Sequence, residues 1–230
     1  NRPRAGSGKL SRFHRSAAFA VLLVMLLSYF FGCFNGSFMV SHFIIRDDVR
    51  KHGSGNAGLT NFYRTYGAKY ALLVIACDMG KTVAACLLGS FFFRCLGWDG
   101  TLGTLLAGLG CELGHIFPVF YGFRGGKGIL SGGTLVLLLN WRVAAVAWAL
   151  FLLLWLTTRY VSLASITATC SAPITVYFVY GHNWLYTGLC LAVAALVVWC
   201  HRENIQRLLH GTEKKFKWHV NPTEGKDPPK

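Results

Sequence analysis

Long apolar runs alternate with short polar stretches along most of this chain of 230 residues. A run of about 20 apolar residues can cross a bilayer as a helix, and a helix satisfies its own backbone hydrogen bonds inside lipid. The pattern therefore predicts an all-α, polytopic membrane protein with about seven transmembrane helices. We expect the spans at residues 17–45, 70–93, 101–121, 129–140, 142–158, 161–180 and 184–200.

The ends of the chain differ in composition from this apolar middle. Residues 1–16 form a basic arm, residues 17–212 a single membrane domain, and residues 213–230 a basic tail rich in Pro, Gly and Lys that we expect to be disordered. A signal peptide is the competing interpretation of the first run. The run is longer than the apolar part of a signal and lacks a small-residue cleavage site, so we interpret it as a retained span.

Basic residues outnumber acidic ones by 23 to 9 and lie mainly in the connections and tails. This excess predicts anionic partners, either lipid headgroups or phosphorylated substrates, and not nucleic acid, for which a chain mostly inside lipid offers little surface. The eight cysteines include no CxxC pair and most of them lie in apolar segments. This pattern suggests neither a zinc site nor a disulfide framework, and we expect no metal and no cofactor.

Seven spans place the two termini on opposite faces of the membrane, and the connections must alternate. The polar connection at residues 46–69, the loop at residues 122–128, the turn at Arg159 and the C-terminal tail then share one face. Because 15 of the 23 Lys and Arg residues lie there, the positive-inside rule makes this face cytoplasmic. The N-terminal arm, which has five basic residues, is the exception.

The glycine loop at residues 122–128 carries the clearest phosphate signal. Glycines reach backbone conformations closed to other residues, so their N–H groups can surround an anion while Lys127 supplies a charge. Taken alone, such a loop is more often an ordinary turn between helices. Residues 52–61 offer further backbone donors with short hydroxyl and amide side chains, next to Arg50 and Lys51, and could hold a second anion.

Two pairs of ionisable residues lie inside predicted spans. Asp78 and Lys81 are three residues apart, as are Glu112 and His115, so each pair shares a helix face. A structural ion pair and a catalytic role both remain open for the first pair. His115 could be a base, or a histidine bonded to Glu112 or to a backbone carbonyl. The four residues would also suit the path of a transporter or channel for an organic phosphate, the leading alternative function.

Two other enzyme classes receive little support from the sequence. His42 and Asp47 fit the His-x4-Asp signature of a different acyltransferase class, but that class carries further motifs absent here, and His42 lies late in an apolar run. A phospholipid-headgroup transferase would show a cluster of Asp residues for a divalent metal, and the chain has none.

Five polar motifs occur in an order that resembles the bacterial acyl-phosphate:glycerol-3-phosphate acyltransferases, the PlsY-type family. The resemblance covers about residues 29–213. The motifs are Gly53-Ser54-Gly55-Asn56-x-Gly58-x-Thr60-Asn61, Gly114-His115-x-Phe117-Pro118, Gly125-Gly126-Lys127-Gly128, Arg159-Tyr160-Val161-Ser162-Leu163-Ala164-Ser165-Ile166 and His201-Arg202-Glu203-Asn204-Ile205.

The resemblance implies seven spans in the bacterial plasma membrane, with the polar loops facing the cytoplasm. It also implies the reaction. An acyl group moves from acyl phosphate to the first-position hydroxyl of sn-glycerol 3-phosphate, giving lysophosphatidic acid and inorganic phosphate in phospholipid biosynthesis, with no cofactor. Membrane lipids are the remaining expected partners. Acyl chain length depends on the depth of a groove between helices and therefore does not follow from the sequence. The oligomeric state does not follow from it either.

The resemblance also assigns roles to residues of this chain. Catalytic roles are implied for Arg50, Ser54, Ser162, His201 and Asn204. Substrate-binding roles are implied for Asn56, Asn61, His115, Gly125, Gly126, Lys127, Gly128 and Arg159. A structural role is implied for Glu203, and we add Asp78 and Lys81 as a structural pair. The chain departs from the family at Cys33 and Asn35, where the family usually has Ser and Pro.

Overall fold

The computed structural model describes residues 6–217, with side chains from residue 16 onward, and within that part it contains helices and no β-strand. The predicted all-α fold is confirmed. The helices are α1 (Gly6–Cys33), α2 (Gly36–Met39), α3 (Leu59–Tyr66), α4 (Ala71–Cys95), α5 (Gly100–Ile116), α6 (Ile129–Leu139), α7 (Trp141–Thr158), α8 (Val161–Val179), α9 (Trp184–Cys200) and α10 (Arg202–Leu209).

Each predicted span corresponds to an apolar helix. Within the described residues, five segments are long and apolar enough to cross a membrane. A sixth is reached if α9 and α10, which meet at a bend of 59°, count as one broken span. Helix α6 has 11 residues, fewer than a full crossing requires. A multi-pass membrane protein is therefore confirmed, whereas the count of seven spans stays a prediction.

The first span is interrupted at Asn35, which the sequence did not indicate. Its side chain accepts a hydrogen bond from the N–H of Phe38 at 2.9 Å and donates one to the carbonyl of Ala57 at 2.9 Å. An amide that bonds nearby backbone ends one helix and begins another. The chain then continues through α2 and a π-helical turn at Val40–Ile45. Asn35 thus ties the end of the first span to the first polar loop.

Glycines allow α1, α4 and α5 to approach closely. A Cβ atom at Gly114 of α5 would collide with the carbonyl of Tyr29 on α1, and one at Gly103 would collide with the carbonyl of Gly89 on α4. Helices in lipid pack through such small residues because van der Waals contact replaces the hydrophobic driving force. These three helices form a rigid support for the polar loops.

Helices α6 to α9, with Leu105 of α5, form a second packed region, which lies at the ends of α6 to α9 remote from the polar loops. We call this region the lower cluster. Its buried residues are Leu105, Val136, Leu139, Val143, Ala144, Ala147, Ala172, Val176 and Cys190.

The polar connections converge, as the alternation of spans predicts. Asn56 donates its side-chain amide to the carbonyl of Gly125 at 3.4 Å, and the N–H of Ala57 donates to the same carbonyl at 3.3 Å. Arg64 donates to the carbonyl of Lys214 at 3.1 Å. The loop at residues 46–69, the glycine loop and the chain after α10 therefore meet at one end of the helices.

Candidate active site

A cavity of about 1280 Å³ opens among the polar loops and reaches down between α6, α7, α8 and α9. Its upper part is polar and its lower part is apolar. The predicted site residues that line it are Ser54, Asn56, Asn61, Asp78, His115, Lys127, Gly128, Ser162, His201 and Asn204. The remaining predicted residues, Arg50, Lys81, Gly125, Gly126, Arg159 and Glu203, lie outside this lining.

Five polar residues form a network at the mouth of the cavity, centred on Glu213. Ser162 Oγ and Asn204 Nδ2 each donate to Glu213 Oε1 at 2.8 Å. Arg207 Nε donates to Glu213 Oε2 at 2.7 Å, and Lys127 Nζ donates to Asn204 Oδ1. This Glu213 network joins the glycine loop, α8 and α10 in one arrangement.

Electrostatics make the mouth suited to an anion. Burial raises the pKa of Glu213, whereas hydrogen bonds from Arg207, Asn204 and Ser162 lower it. The net effect places the pKa of Glu213 below its ordinary value. Burial and the nearby Arg207 lower the pKa of Lys127. Basic residues outnumber acidic ones in the lining, which attracts phosphate. The basic set is Arg64, Lys127, Arg207, Lys214, Lys215 and Lys217, and the acids are Asp78 and Glu213.

The glycine loop uses its backbone differently from the sequence expectation. The N–H of Gly125 donates to the carbonyl of Ile116 and that of Gly126 to the carbonyl of His115, both at 3.1 Å. These two N–H groups are therefore occupied by the fold and do not surround an anion. A Cβ at Gly126 would collide with His115 Nε2 and one at Gly128 with Glu112 Oε1. The glycines let the loop lie directly on α5, and Lys127 is the member that reaches the network.

Asn61 shapes the first polar loop. Its Oδ1 accepts from the N–H of Ser54 at 3.0 Å, and its Nδ2 lies 3.0–3.1 Å from the carbonyls of Val49, His52 and Asn56. Because the amide is only 5% exposed and bonded on both sides, it fixes the loop conformation. The exposed Ser54 lines the cavity beside it.

Asp78, Lys81 and His115 form a buried cluster beneath the glycine loop. Lys81 Nζ lies 2.8 Å from Asp78 Oδ1 and 2.7 Å from His115 Nδ1, and it also donates to the carbonyls of Gly32 and Phe34 at 3.1 Å. Asp78 and Lys81 pair as their spacing on α4 indicates, and their structural role stays a prediction. The lysine also satisfies carbonyls at the C-terminal end of α1, which is a structural contribution.

The suggested bond between His115 and Glu112 is wrong, because His115 turns toward Lys81 and Asp78. Glu112 Oε1 is buried without a hydrogen-bond partner among the described residues. Spacing along the helix puts Glu112 and His115 on neighbouring turns. Helix α4 supplies Asp78 and Lys81, and these are the side chains that the imidazole contacts.

Arg50 holds two loops together. Its Nε and Nη2 donate to Asp48 at 3.0 and 2.9 Å, its Nη1 donates to the carbonyl of Tyr121 at 2.7 Å, and its guanidinium lies 4.4 Å above the ring of Phe38. A guanidinium bonded along both edges and stacked on an aromatic face is well fixed. It ties the first polar loop to the chain just before the glycine loop.

The remaining predicted residues have distinct settings. His201 is buried, lines the cavity and donates from Nδ1 to the carbonyl of Val197 at 2.8 Å, which leaves Nε2 as the acceptor. Arg159 is exposed and ends α7 with a φ of 62°. Glu203 has a side chain 68% exposed, and its ion pair with Arg207 is 3.9 Å long.

Sequence reasoning missed Glu213, Arg207 and the packing that follows them. Phe216 lies with its ring 5.3 Å from that of Tyr63 and 5.4 Å from that of Trp155. The packed part of the chain therefore continues through Phe216, past the expected start of the tail at residue 213. The rest of the expected disordered tail lies outside the described residues. The available signal for Glu213 was an acid directly before two lysines in a basic segment.

Two sequence features lie away from any chemistry. His42 stacks on Phe38 with centroids 5.2 Å apart, and Asp47 Oδ2 lies 2.9 Å from His52 Nε2, so the His-x4-Asp pair does not form. Cys33, which replaces the serine common in the family, is fully buried and outside the cavity lining.

The fold and the site together define an integral membrane protein in which a cationic mouth opens into an apolar cavity between helices. The chain belongs to the glycerol-3-phosphate acyltransferase family, whose model, described as "Glycerol-3-phosphate acyltransferase", matches residues 22–211. The family predicted from the motifs is thereby confirmed.

Relatives and solved structures agree on this assignment. The chain is 38% identical over 193 residues to the glycerol-3-phosphate acyltransferase of Syntrophomonas wolfei subsp. wolfei, covering 84% of this chain and 95% of that protein. It is 40% identical over 195 residues to that of Alkaliphilus metalliredigens, covering 85% and 95%. Crystal structures of PlsY, an integral membrane glycerol 3-phosphate acyltransferase, resemble it with TM-scores of 0.76 and 0.74. Their identities are 36% and 34%, over 86% of this chain and 96% of those chains.

Proposed function

We propose that this chain transfers an acyl group from acyl phosphate to the first-position hydroxyl of sn-glycerol 3-phosphate. The observation that carries the proposal is the position of the Glu213 network at the mouth of a long apolar cavity. A phosphate held there by Lys127 and Arg207 brings its glycerol hydroxyl next to a chain lying in the cavity. The two PlsY structures are described as glycerol 3-phosphate and lysophosphatidic acid forms, which supports a substrate and a product of this kind.

The reaction needs positioning more than chemical activation. The glycerol hydroxyl oxygen attacks the acyl carbonyl carbon, a new ester C–O bond forms, the bond from that carbon to the phosphate oxygen breaks, and the hydroxyl proton ends on phosphate. Holding the two reactants together can remove up to about 7–11 kcal/mol of the barrier. Each donor aimed at the developing oxyanion contributes about 2.7–4 kcal/mol.

The residues divide into those that meet substrate and those that hold them. Lys127 and Arg207 supply positive charge to a phosphate group, while Ser162 and Asn204 donate to Glu213 beside it. Ser54 faces the same space from the first polar loop. Arg50, Asn61, Asp78 and Lys81 hold the loops that carry these groups.

We infer that no protein side chain is an obligatory base and that a substrate phosphate oxygen takes the proton. His201 is the residue best placed to contradict this, because its Nε2 is an acceptor and its ring lines the cavity. Its Nδ1 donates to a backbone carbonyl, and among the residues that the structure describes no carboxylate is bonded to the ring to stabilise an imidazolium. A His201→Gln variant that binds both substrates but loses all turnover would overturn the inference.

A transporter or channel for an organic phosphate is not supported. Asp78, Lys81 and His115 bond to one another and to the end of α1 and do not form a separate polar path through the helices. We further propose that the mouth faces the cytoplasm, because most basic residues of the chain lie on that side.

The deciding experiment supplies purified protein with glycerol 3-phosphate and either palmitoyl phosphate or palmitoyl-CoA. We expect lysophosphatidic acid and phosphate from the first donor and no product from the second. Product formed only with palmitoyl-CoA, and not with palmitoyl phosphate, would contradict the choice of donor. Uptake of glycerol 3-phosphate into liposomes without any acyl donor would favour the transporter instead.

A further inference from the structure

The apolar part of the cavity ends at the same level on four different helices. The deepest lining residues are Val136 on α6, Ala147 on α7, Ala172 on α8 and Cys190 on α9. One helical turn further from the mouth, each is followed by a residue of the lower cluster or one packed against it. These are Leu139, Val143, Val176 and Tyr186.

The level at which the cavity ends, which we call the floor, is closed by packing and by a hydrogen bond. Val143 and Val176 are fully buried, and Tyr180 Oη donates to the carbonyl of Leu139 at 2.7 Å. Side chains packed as in a protein interior leave no room for a flexible chain to pass. The cavity therefore has a blind end, and its walls offer an acyl chain nothing but apolar surface there.

The depth of the cavity follows from helix geometry. Ser162 at the mouth and Ala172 at the floor are ten residues apart on α8, which corresponds to about 15 Å at the helical rise. From His201 to Cys190 on α9 the distance is about 16 Å. An extended acyl chain advances slightly less per carbon than a helix does per residue, so about 12 carbons fit between mouth and floor.

We propose that this floor measures the acyl chain of the donor, with Ala147 and Ala172 as the residues that set the maximum length. The proposal rests on the proposed function, because it takes the cavity as the site of the acyl chain. Each carbon up to the floor gains apolar burial, which is worth roughly a fourfold gain in binding. Carbons beyond the floor gain nothing, because they must bend or leave the cavity. Small side chains at these two positions place the floor where it is.

The test compares acyl phosphates of increasing chain length with the full-length protein. We expect kcat/KM to rise with each added carbon and to stop rising at about 12–14 carbons. Ala172→Phe fills the floor and should move this break by about two to four carbons toward shorter chains. Ile174→Phe is the matched control, since Ile174 lies at the same depth on α8 but is 62% exposed on the outer face. It should leave the break unchanged.

A second variant and a second measurement keep the outcome decisive. Ala147→Leu fills the same floor from α7 and should shift the break in the same direction if Ala172→Phe does not fold. Stabilisation by lysophosphatidic acids of different chain length, measured as a shift in Tm, shows the same break without turnover. An unchanged break in both floor variants would overturn the proposal. Absence of turnover with every acyl phosphate, with the break still present in Tm, would instead overturn the proposed function.

Discussion

The glycine loop and the segment from His201 to Phe216 differ in how well the sequence predicts what they do in the structure. The loop carries the stronger sequence signal, yet its Gly125 and Gly126 pack on α5 and give their N–H groups to carbonyls. The later segment was expected to end in a disordered tail, yet Glu213 accepts hydrogen bonds from Ser162 on α8 and from Asn204 and Arg207 on α10. A glycine motif therefore reports where backbones must approach, whereas the charge arrangement is set by residues distant in sequence.

Replacing Lys127 tests the one member of the glycine loop that reaches the site. Lys127→Met removes a charge aimed at phosphate, so we expect kcat/KM for glycerol 3-phosphate to fall by about 10²–10³-fold. The KM for glycerol 3-phosphate should rise far more than that for the acyl donor. Steady-state kinetics with each substrate varied in turn measures both. Equal effects on the two substrates would make the loop a simple turn.

Replacing Glu213 tests the other side of the comparison. Glu213→Gln keeps the side-chain size but removes the closer of the two ionic partners of Arg207, which we expect to cost about 1.5–3 kcal/mol in stability. The folded pKa of Glu213 is lowered. Its contribution is therefore present at neutral pH and is lost as pH falls through that pKa. Unfolding of the purified protein between pH 3 and 7 should show a shallower acid slope in the variant. An unchanged slope would remove Glu213 from the centre of the network.

The glycines themselves are tested by adding one methyl group. Gly126→Ala forces a Cβ against His115, and such overpacking costs about 1–3 kcal/mol. Gly188→Ala is the control, because no atom of the described residues lies within 4 Å of a Cβ there, and it should be neutral or slightly stabilising, since Ala favours a helix over Gly. Thermal unfolding compares them. A neutral Gly126→Ala would mean that close packing is not the reason for this glycine.

The sequence predicted the helices well because lipid imposes a simple rule on them. Apolar runs must be helical in a bilayer, and the pair Asp78 and Lys81 follows from helix spacing alone. The break at Asn35 escaped because its partner, Ala57, lies 22 residues away. For the same reason the sequence could not give the partners of Glu213, since Ser162 is 51 residues distant. Local patterns contain no information about such contacts.

The lowered pKa of Lys127 predicts a smaller effect on activity, which changes gradually with pH. Burial and Arg207 lower its pKa, so the ammonium loses its proton at a lower pH than an ordinary lysine, whose pKa is about 10.4. We expect kcat/KM for glycerol 3-phosphate to fall, by about tenfold per pH unit at most, as pH rises through that pKa. Lys127→Arg keeps its charge at high pH and should move the fall to higher pH. A fall at the same pH in both proteins would assign it to another group.

Glu203 should show the smallest effect, although the family resemblance implies a structural role for it. Its side chain is largely exposed and its ion pair with Arg207 is long, and exposed pairs contribute about 0–1 kcal/mol. Arg207 has a shorter and more buried partner in Glu213, so it does not depend on Glu203. We expect Glu203→Gln to change Tm and the KM for glycerol 3-phosphate within error. If Glu203→Gln destabilises the protein as much as Glu213→Gln, the structural role belongs to α10 itself and not to the chain that follows it.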